Sequence, residues 1–244
     1  MNPRLAVATA SRILAQLRHD HRTLAMIVVT PVVLMSLLAW VYDSGPVFDE
    51  VGAPLLGTFP FVVMFLVTSV ATLRERTSGT LERLLSMPLG KLDLLLGYAL
   101  AFGALAVVQA AVVTTLSVTL LGLDVAGPIW ALLLVAVLDA LLGTALGLFV
   151  SAFAATEFQA VQFMPAIVLP QFLLSGLLVP REAMDEPLQR ISDVLPLSYA
   201  IDVMRTLTDH ADVPASAWGD VGVVVGFIVL SLALGAATLR RRSA

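Results

Sequence analysis

Asp139 is the residue whose type and place most demand a chemical reading. It is the one acid deep inside a long apolar run, residues 129–155. A carboxylate at mid-bilayer costs about 2.5–3.5 kcal/mol on insertion scales, so such a group is read first as functional, as a proton carrier or a polar wall in a solute path. The competing role is structural: a hydrogen bond to a neighbouring helix, or a neutral protonated acid. For a conduit without evident ion coupling the structural role weighs more. A second apolar run, 92–121, holds Gln109, Thr114, Thr115, Ser117 and Thr119. These could line a path, and Gln109 and Thr115 join Asp139 as candidate path residues. Serine and threonine hydroxyls also simply bond their own backbone. Gly143 and Gly147 form G-x-x-x-G, which permits close helix contact.

Much chemistry is excluded. The chain has no cysteine, so disulfides, thiolate metal sites and cysteine nucleophiles are absent. No H-E-x-x-H and no G-x-S-x-G occurs, and His19, His21 and His210 all lie outside the apolar runs. We therefore assign no catalytic residue and no metal site. No G-x-x-x-x-G-K-[ST] loop exists. The longest segment between apolar runs, 180–220, is shorter than the ~50 residues of a small domain. Any energy used must come from an ion gradient or a partner. Net charge is −4 and the pI about 5.3, against a nucleic-acid partner.

The elements that position these residues follow from composition. Of 244 residues, 59% are hydrophobic and 13% charged, with a mean hydropathy of +0.94. Soluble domains are about 45–50% apolar and about 25% charged. This is the composition of an integral membrane protein. Six runs have the length of membrane crossings: 24–41, 55–73, 92–121, 129–155, 160–179 and 221–239. The first ends in Val41-Tyr42-Asp43, without the small-x-small site of a cleaved signal. Arg4, Arg12, Arg18 and Arg22 precede it. Arg74, Arg76, Arg83 and Lys91 follow the second, and Arg240, Arg241 and Arg242 end the chain. With six crossings all of these share one side, leaving Arg181, Arg190 and Arg205 opposite. By the positive-inside rule both termini are cytoplasmic. Residues 1–244 form one transmembrane domain.

Three segments lie outside the runs. Residues 1–23 mix Leu5, Val7, Ile13, Leu14 and Leu17 with four arginines. They read either as an interfacial helix against anionic lipid or as a topology signal. In the loop 74–91, Gly79 breaks the preceding helix and Thr80 can cap a new one. Glu82 suits that helix's first turn, and Pro88 stops it. Leu81, Leu84 and Leu85 fall on one stripe. Such a helix fits the membrane surface, slightly favoured by the residues alone, or a groove in a partner. In 180–220, Pro180, Pro187 and Pro196 punctuate apolar residues at helical spacing, Leu188, Ile191 and Leu195, then Ile201, Met204 and Leu207. Two short helices at the outer surface are expected, as a gate rather than a solvated loop.

Two motifs carry a family resemblance. Glu75 followed by Gly79-Thr80-Leu81-Glu82, Leu84-Leu85 and Pro88 resembles a signature of the type-2 permease superfamily of ATP-binding-cassette transporters, membrane subunits of exporters such as the daunorubicin-resistance system. Ser175-Gly176 with Pro180, then Pro196-Leu197-Ser198-Tyr199-Ala200-Ile201-Asp202 with Arg205, resembles the second signature. The resemblance implies that Glu75, Gly79, Thr80, Leu81, Glu82, Arg83, Leu84 and Leu85 form a coupling helix docked on an ATPase. Leu81, Leu84 and Leu85 would be its anchors, and Glu82 and Arg83 would make polar contacts. It implies an external re-entrant hairpin in which Ser175, Gly176, Pro180, Pro196, Tyr199 and Arg205 close the path. The short segment Tyr42–Pro54 departs from relatives with a large external domain there.

The expectation is an all-α integral membrane protein of six transmembrane helices in a bacterial plasma membrane. It has cytoplasmic termini, an interfacial N-terminal helix, a cytoplasmic coupling helix and an external re-entrant hairpin. It would be the permease of an exporter of drug-like, lipid or glycan-type cargo. Two ATPase subunits that bind ATP and Mg, a second identical or similar permease, and membrane lipids are the expected partners. This chain itself would hold no cofactor. The rival is a proton-coupled secondary transporter using Asp139, which calls for internal pseudo-symmetry that the proline placement does not show. An intramembrane enzyme lacks a membrane-depth base.

Overall fold

A computed structural model describes residues 3–80 and 90–238. Among these are nine α-helices and no strand. They are α1 (Pro3–His19), α2 (His21–Val41), α3 (Pro46–Thr77), α4 (Lys91–Thr119), α5 (Ile129–Val150), α6 (Glu157–Leu174), α7 (Glu186–Ser192), α8 (Pro196–Asp209) and α9 (Ala215–Thr238). A 3-10 turn, Arg181–Ala183, precedes α7.

The helix ends have local causes. Asp20 separates α1 from α2 and caps the latter, its carboxylate accepting from the Thr23 backbone N–H at 3.1 Å. Only residues 42–45 join α2 to α3, because Pro46 opens α3 at its first turn. The expected external segment Tyr42–Pro54 is thus largely helix. The run expected to reach Ala155 ends as helix at Val150, where Ser151 caps it. The last helix starts at Ala215, ahead of the expected 221.

Five helices, α2, α3, α4, α5 and α9, are long and apolar enough to cross a membrane. The expected crossing 160–179 is the exception. It corresponds to α6, which ends at Leu174 and carries Glu157, Gln159, Gln162, Gln171, Pro165 and Pro170 within 18 residues. These polar residues and prolines dilute its apolar character.

At the centre α3 packs along α5, the most extensive pairing in the fold. G-x-x-x-G makes it possible. A Cβ on Gly143 would sit 2.2 Å from the Phe61 carbonyl oxygen, and one on Gly147 2.6 Å from that of Phe65. Only glycine lets the two backbones come this close. Helix α4 flanks α5, α1 lies on α4, and α9 packs on α5 and α8. The buried face of α1 is Ala6, Thr9, Ala10, Ile13 and Leu17. That face is therefore turned to protein, not to lipid.

The two ends of the bundle differ in composition. Arg12, Arg74 and Arg76 meet at one end. All three tryptophans mark the other. Trp40 ends α2, Trp130 opens α5 and Trp218 opens α9; each is exposed, and Trp130 stacks on Trp218 at 6.2 Å. The Asp124 backbone N–H donates to Asp49 of α3 at 2.9 Å, placing the start of α3 at that end too. Between α5 and α9 the chain returns to the tryptophan end. Glu157 starts α6 beside Arg74, and α8 finishes with the Leu207 carbonyl accepting from the Gly127 N–H at 2.8 Å.

Candidate functional site: a junction and a seal at opposite ends of the bundle

At the arginine-rich end, three consecutive residues of the last turns of α3 each bind a different part of the molecule. The Arg74 guanidinium pairs in two-pronged fashion with Glu157 of α6, at 2.8 and 3.1 Å. Glu75 accepts both guanidinium nitrogens of Arg12 from α1, at 3.1 and 3.2 Å, and the hydroxyl of Tyr98 from α4. Arg76 donates to the Ser151 carbonyl just past α5 at 2.6 Å. The arginines also suit the negative end of the helix dipole. Beyond them Ser78 caps α3, and Gly79 turns the chain at φ +74°, with none of the described residues where a side chain would stand. The Ser78 and Thr80 hydroxyls are 3.0 Å apart. The remaining coupling residues, Leu81, Glu82, Arg83, Leu84 and Leu85, lie outside the described residues. The last turns of α3 are therefore bonded at once to α1, α4, α6 and the turn after α5.

The second cluster is built around Arg181. Ser175 ends α6, its hydroxyl donating to the Phe172 carbonyl at 2.9 Å. Gly176 then reverses the chain at φ +91°, a conformation only glycine adopts without strain. A side chain there would meet Arg181 Cγ at 3.2 Å. The Arg181 guanidinium pairs with Asp193 and Asp202 and lies 5.5 Å over the Tyr199 ring. Tyr199 donates to the Asp193 carbonyl at 2.6 Å, and Arg205 to the Leu177 carbonyl at 3.2 Å. Ser192 donates to the Leu174 carbonyl at 2.6 Å, filling one of the acceptors that every helix end leaves open. Pro196 is buried at the start of α8; Pro180 is exposed at the start of the 3-10 turn.

Helix α8 is not a solvated connector. Leu197, Ala200, Ile201, Met204 and Leu207 are fully buried. Met204 Cε and the Asp139 Oδ2 atom converge on the notch left by Gly57 of α3, where a Cβ would lie 3.1 and 2.3 Å from them. The helix between the expected fifth and sixth runs thus reaches the middle of α5.

The three candidate path residues are not brought together. Asp139 is fully buried, and neither carboxylate oxygen has a hydrogen-bond partner among the described residues. Gln109 faces α2 and donates to the Ile27 carbonyl at 2.6 Å. That carbonyl lies four residues before Pro31, which has no N–H to give it. Gln109 therefore repairs a proline defect between two helices, a structural role. Thr115 is exposed on α4. Sequence reasoning did not single out Arg12, Tyr98 and Glu157, or Arg181, Asp193 and Ser192. The signal for Arg181 was available: it follows Pro180 and stands alone among nearby acids.

Comparison with known proteins decides the family. Residues 4–208 match the family described as ABC-2 type transporter. The chain belongs to that family. It is a multi-pass membrane protein of a permease family that lacks ATPase activity. It is 28% identical over 153 residues to the protein named "Probable multidrug ABC transporter permease YbhR" of Escherichia coli, covering 63% of this chain and 42% of the relative. It is 26% identical over 147 residues to the inner membrane transport permease YhhJ of Escherichia coli, covering 60% and 39%. It is 24% identical over 181 residues to the linearmycin resistance permease protein LnrN of Bacillus subtilis, covering 74% and 47%. The matched stretches span less than half of each of these relatives.

Proposed function

We propose that this chain is the permease subunit of an exporter driven by a separate ATP-binding-cassette ATPase that holds the ATP and Mg. The observation that carries the reading is the junction at the end of α3. One short stretch leaving the membrane domain is tied to four other parts of the bundle, as a point of mechanical input requires. Residues 79–85 would be the docking element. The names of the relatives, multidrug and linearmycin resistance, favour a drug-like or antibiotic cargo of the daunorubicin-resistance type; lipid and glycan-type cargoes share the same reading.

We read the arginine-rich end as cytoplasmic and the tryptophan end as the outer interface, where indole rings collect. The positions of Glu157 and Leu207 support a sixth crossing made by α6 with α8, giving cytoplasmic termini in a bacterial inner membrane. Two permeases and two ATPases would form the complex. Helices α2 and α6 would face the second permease: α6 exposes Gln159, Gln162 and Pro165, which lipid accommodates poorly. The Arg181 cluster would close the outer end. ATP would act by favouring one arrangement of the bundle over another, through the difference in its affinity for the two.

The test is ATP hydrolysis by the purified complex. Glu82→Lys and Leu84→Asp are expected to abolish substrate-stimulated hydrolysis while the permease still inserts. Unchanged stimulation in both would overturn the docking assignment. One observation favours the proton-coupled alternative, the unpartnered carboxylate of Asp139. Transport by Asp139→Asn with the proton gradient collapsed and ATP intact separates the two.

A further inference from the structure

Helices α1, α2, α3 and α4, with Val161 of α6, leave a cleft of about 590 Å³ next to the junction. This is the size of a site for a drug-sized molecule, about 300–1,000 Å³. Its walls are apolar, with Met26 from α2, Leu66, Val67 and Val70 from α3 and Phe102 from α4. Its charged groups are confined to the inner end: Asp20 before α2, and Arg74 and Glu75 in the last turns of α3. Two of these are spoken for. Arg74 is held by Glu157, and Glu75 by Arg12 and Tyr98. Asp20 forms no ion pair among the described residues. Its carboxylate accepts from Thr23, through the backbone N–H at 3.1 Å and the hydroxyl at 2.7 Å. Those bonds, the hydroxyl's first, with a smaller pull from the charge of Arg74, hold its carboxyl below the ordinary range, so it is charged at neutral pH.

We propose that this cleft binds an amphiphile with an ammonium headgroup, its apolar body lying between α2, α3 and α4 and its ammonium on Asp20. An anionic head would find both nearby guanidinium groups, Arg12 and Arg74, already engaged by carboxylates. An uncharged head would cover the Asp20 carboxylate without placing a cation in contact with it, leaving only the more distant charge of Arg74. A carboxylate offers about four acceptor positions, and Thr23 uses two. The ammonium could belong to a phosphatidylethanolamine of the inner leaflet or to a free amine. Only the consequence, that a free amine held here is cargo at the point of entry, rests on the exporter reading; the binding needs neither ATPase nor transport.

The test is equilibrium binding of radiolabelled dodecyltrimethylammonium to the full chain in nanodiscs of an uncharged glycolipid, corrected against empty discs. Saturable binding at one site per chain is expected. Asp20→Asn should weaken it about tenfold or more while keeping α2 capped, because asparagine caps as well as aspartate. Ala71→Phe, which fills the cleft, should abolish it by a route independent of charge. Dodecyl sulfate should not compete. Competition by phosphatidylethanolamine identifies the lipid as occupant, and its absence identifies a free amine. Equal affinity in Asp20→Asn and the parent chain, or equal competition by dodecyl sulfate, overturns the proposal.

Discussion

The junction at the end of α3 and the cluster around Arg181 are both built from arginine and carboxylate, yet they are wired differently. At the junction the ion pairs join residues 63 and 83 positions apart, from different helices. Around Arg181 they join residues 12 and 21 positions apart, within one excursion of the chain. The first arrangement spreads a displacement over the whole bundle. The second folds one segment back on itself and holds it there. On the proposed function, input at one end and closure at the other would draw on these two kinds of wiring, and α3 packed on α5 runs between them.

That connecting pair is where the largest effect is expected. Gly143→Leu forces a side chain into the Phe61 backbone and should destabilise the protein by about 3 kcal/mol. Thermal unfolding in detergent and the yield of folded protein measure it. Both end regions should fail together, because the rod they share is lost.

Arg181→Ala comes next. It leaves Asp193 and Asp202 without their counter-charge; the Arg181 side chain is only 14% exposed. A fully buried pair broken this way costs about 3–5 kcal/mol, and the partial exposure of Asp202 reduces this to about 2 kcal/mol. The chain has no native cysteine, so a single Met204→Cys reports on the seal. Labelling from the outside should rise several-fold when Arg181→Ala is added. No change would remove the clamp from the account.

The junction offers a finer contrast within itself. Glu75→Gln gives up the charge facing Arg12 and should cost about 1 kcal/mol, because the pair is mostly shielded from solvent. Arg74→Ala should cost about 0.5 kcal/mol or less in stability, since both partners are half exposed. If Arg74→Ala nevertheless lowers substrate-stimulated ATP hydrolysis, the pair serves transmission to α6 rather than stability.

These contrasts also mark what was readable from residues alone. Five of the long apolar runs located helices of membrane-crossing length and composition, because twenty apolar residues have few other uses. The end of α6 at Leu174 was missed, the run having been carried to 179, although a glycine at φ +91° is a local demand. The five helices of crossing composition were plain, whereas α6 was not: its glutamines and prolines make sense only against protein. The Arg12–Glu75 and Arg74–Glu157 pairs were invisible, since nothing local says which of many arginines meets which acid across the bundle. Gln109 was read as a path residue. The clue to its structural bond was present in Pro31, whose missing N–H leaves the Ile27 carbonyl in need of a donor. The notch at Gly57 could not be foreseen, because it exists only where α3, α5 and α8 meet.

Cross-linking from position 84 is the most direct test of the claim that work enters through the segment after α3. With Leu84→Cys as the sole cysteine, a short thiol cross-linker should join the permease to its ATPase subunit, with a yield that changes when ATP binds. A position 84 that reacts only with lipid-soluble reagents, and yields no ATPase adduct in the assembled complex, would contradict the account.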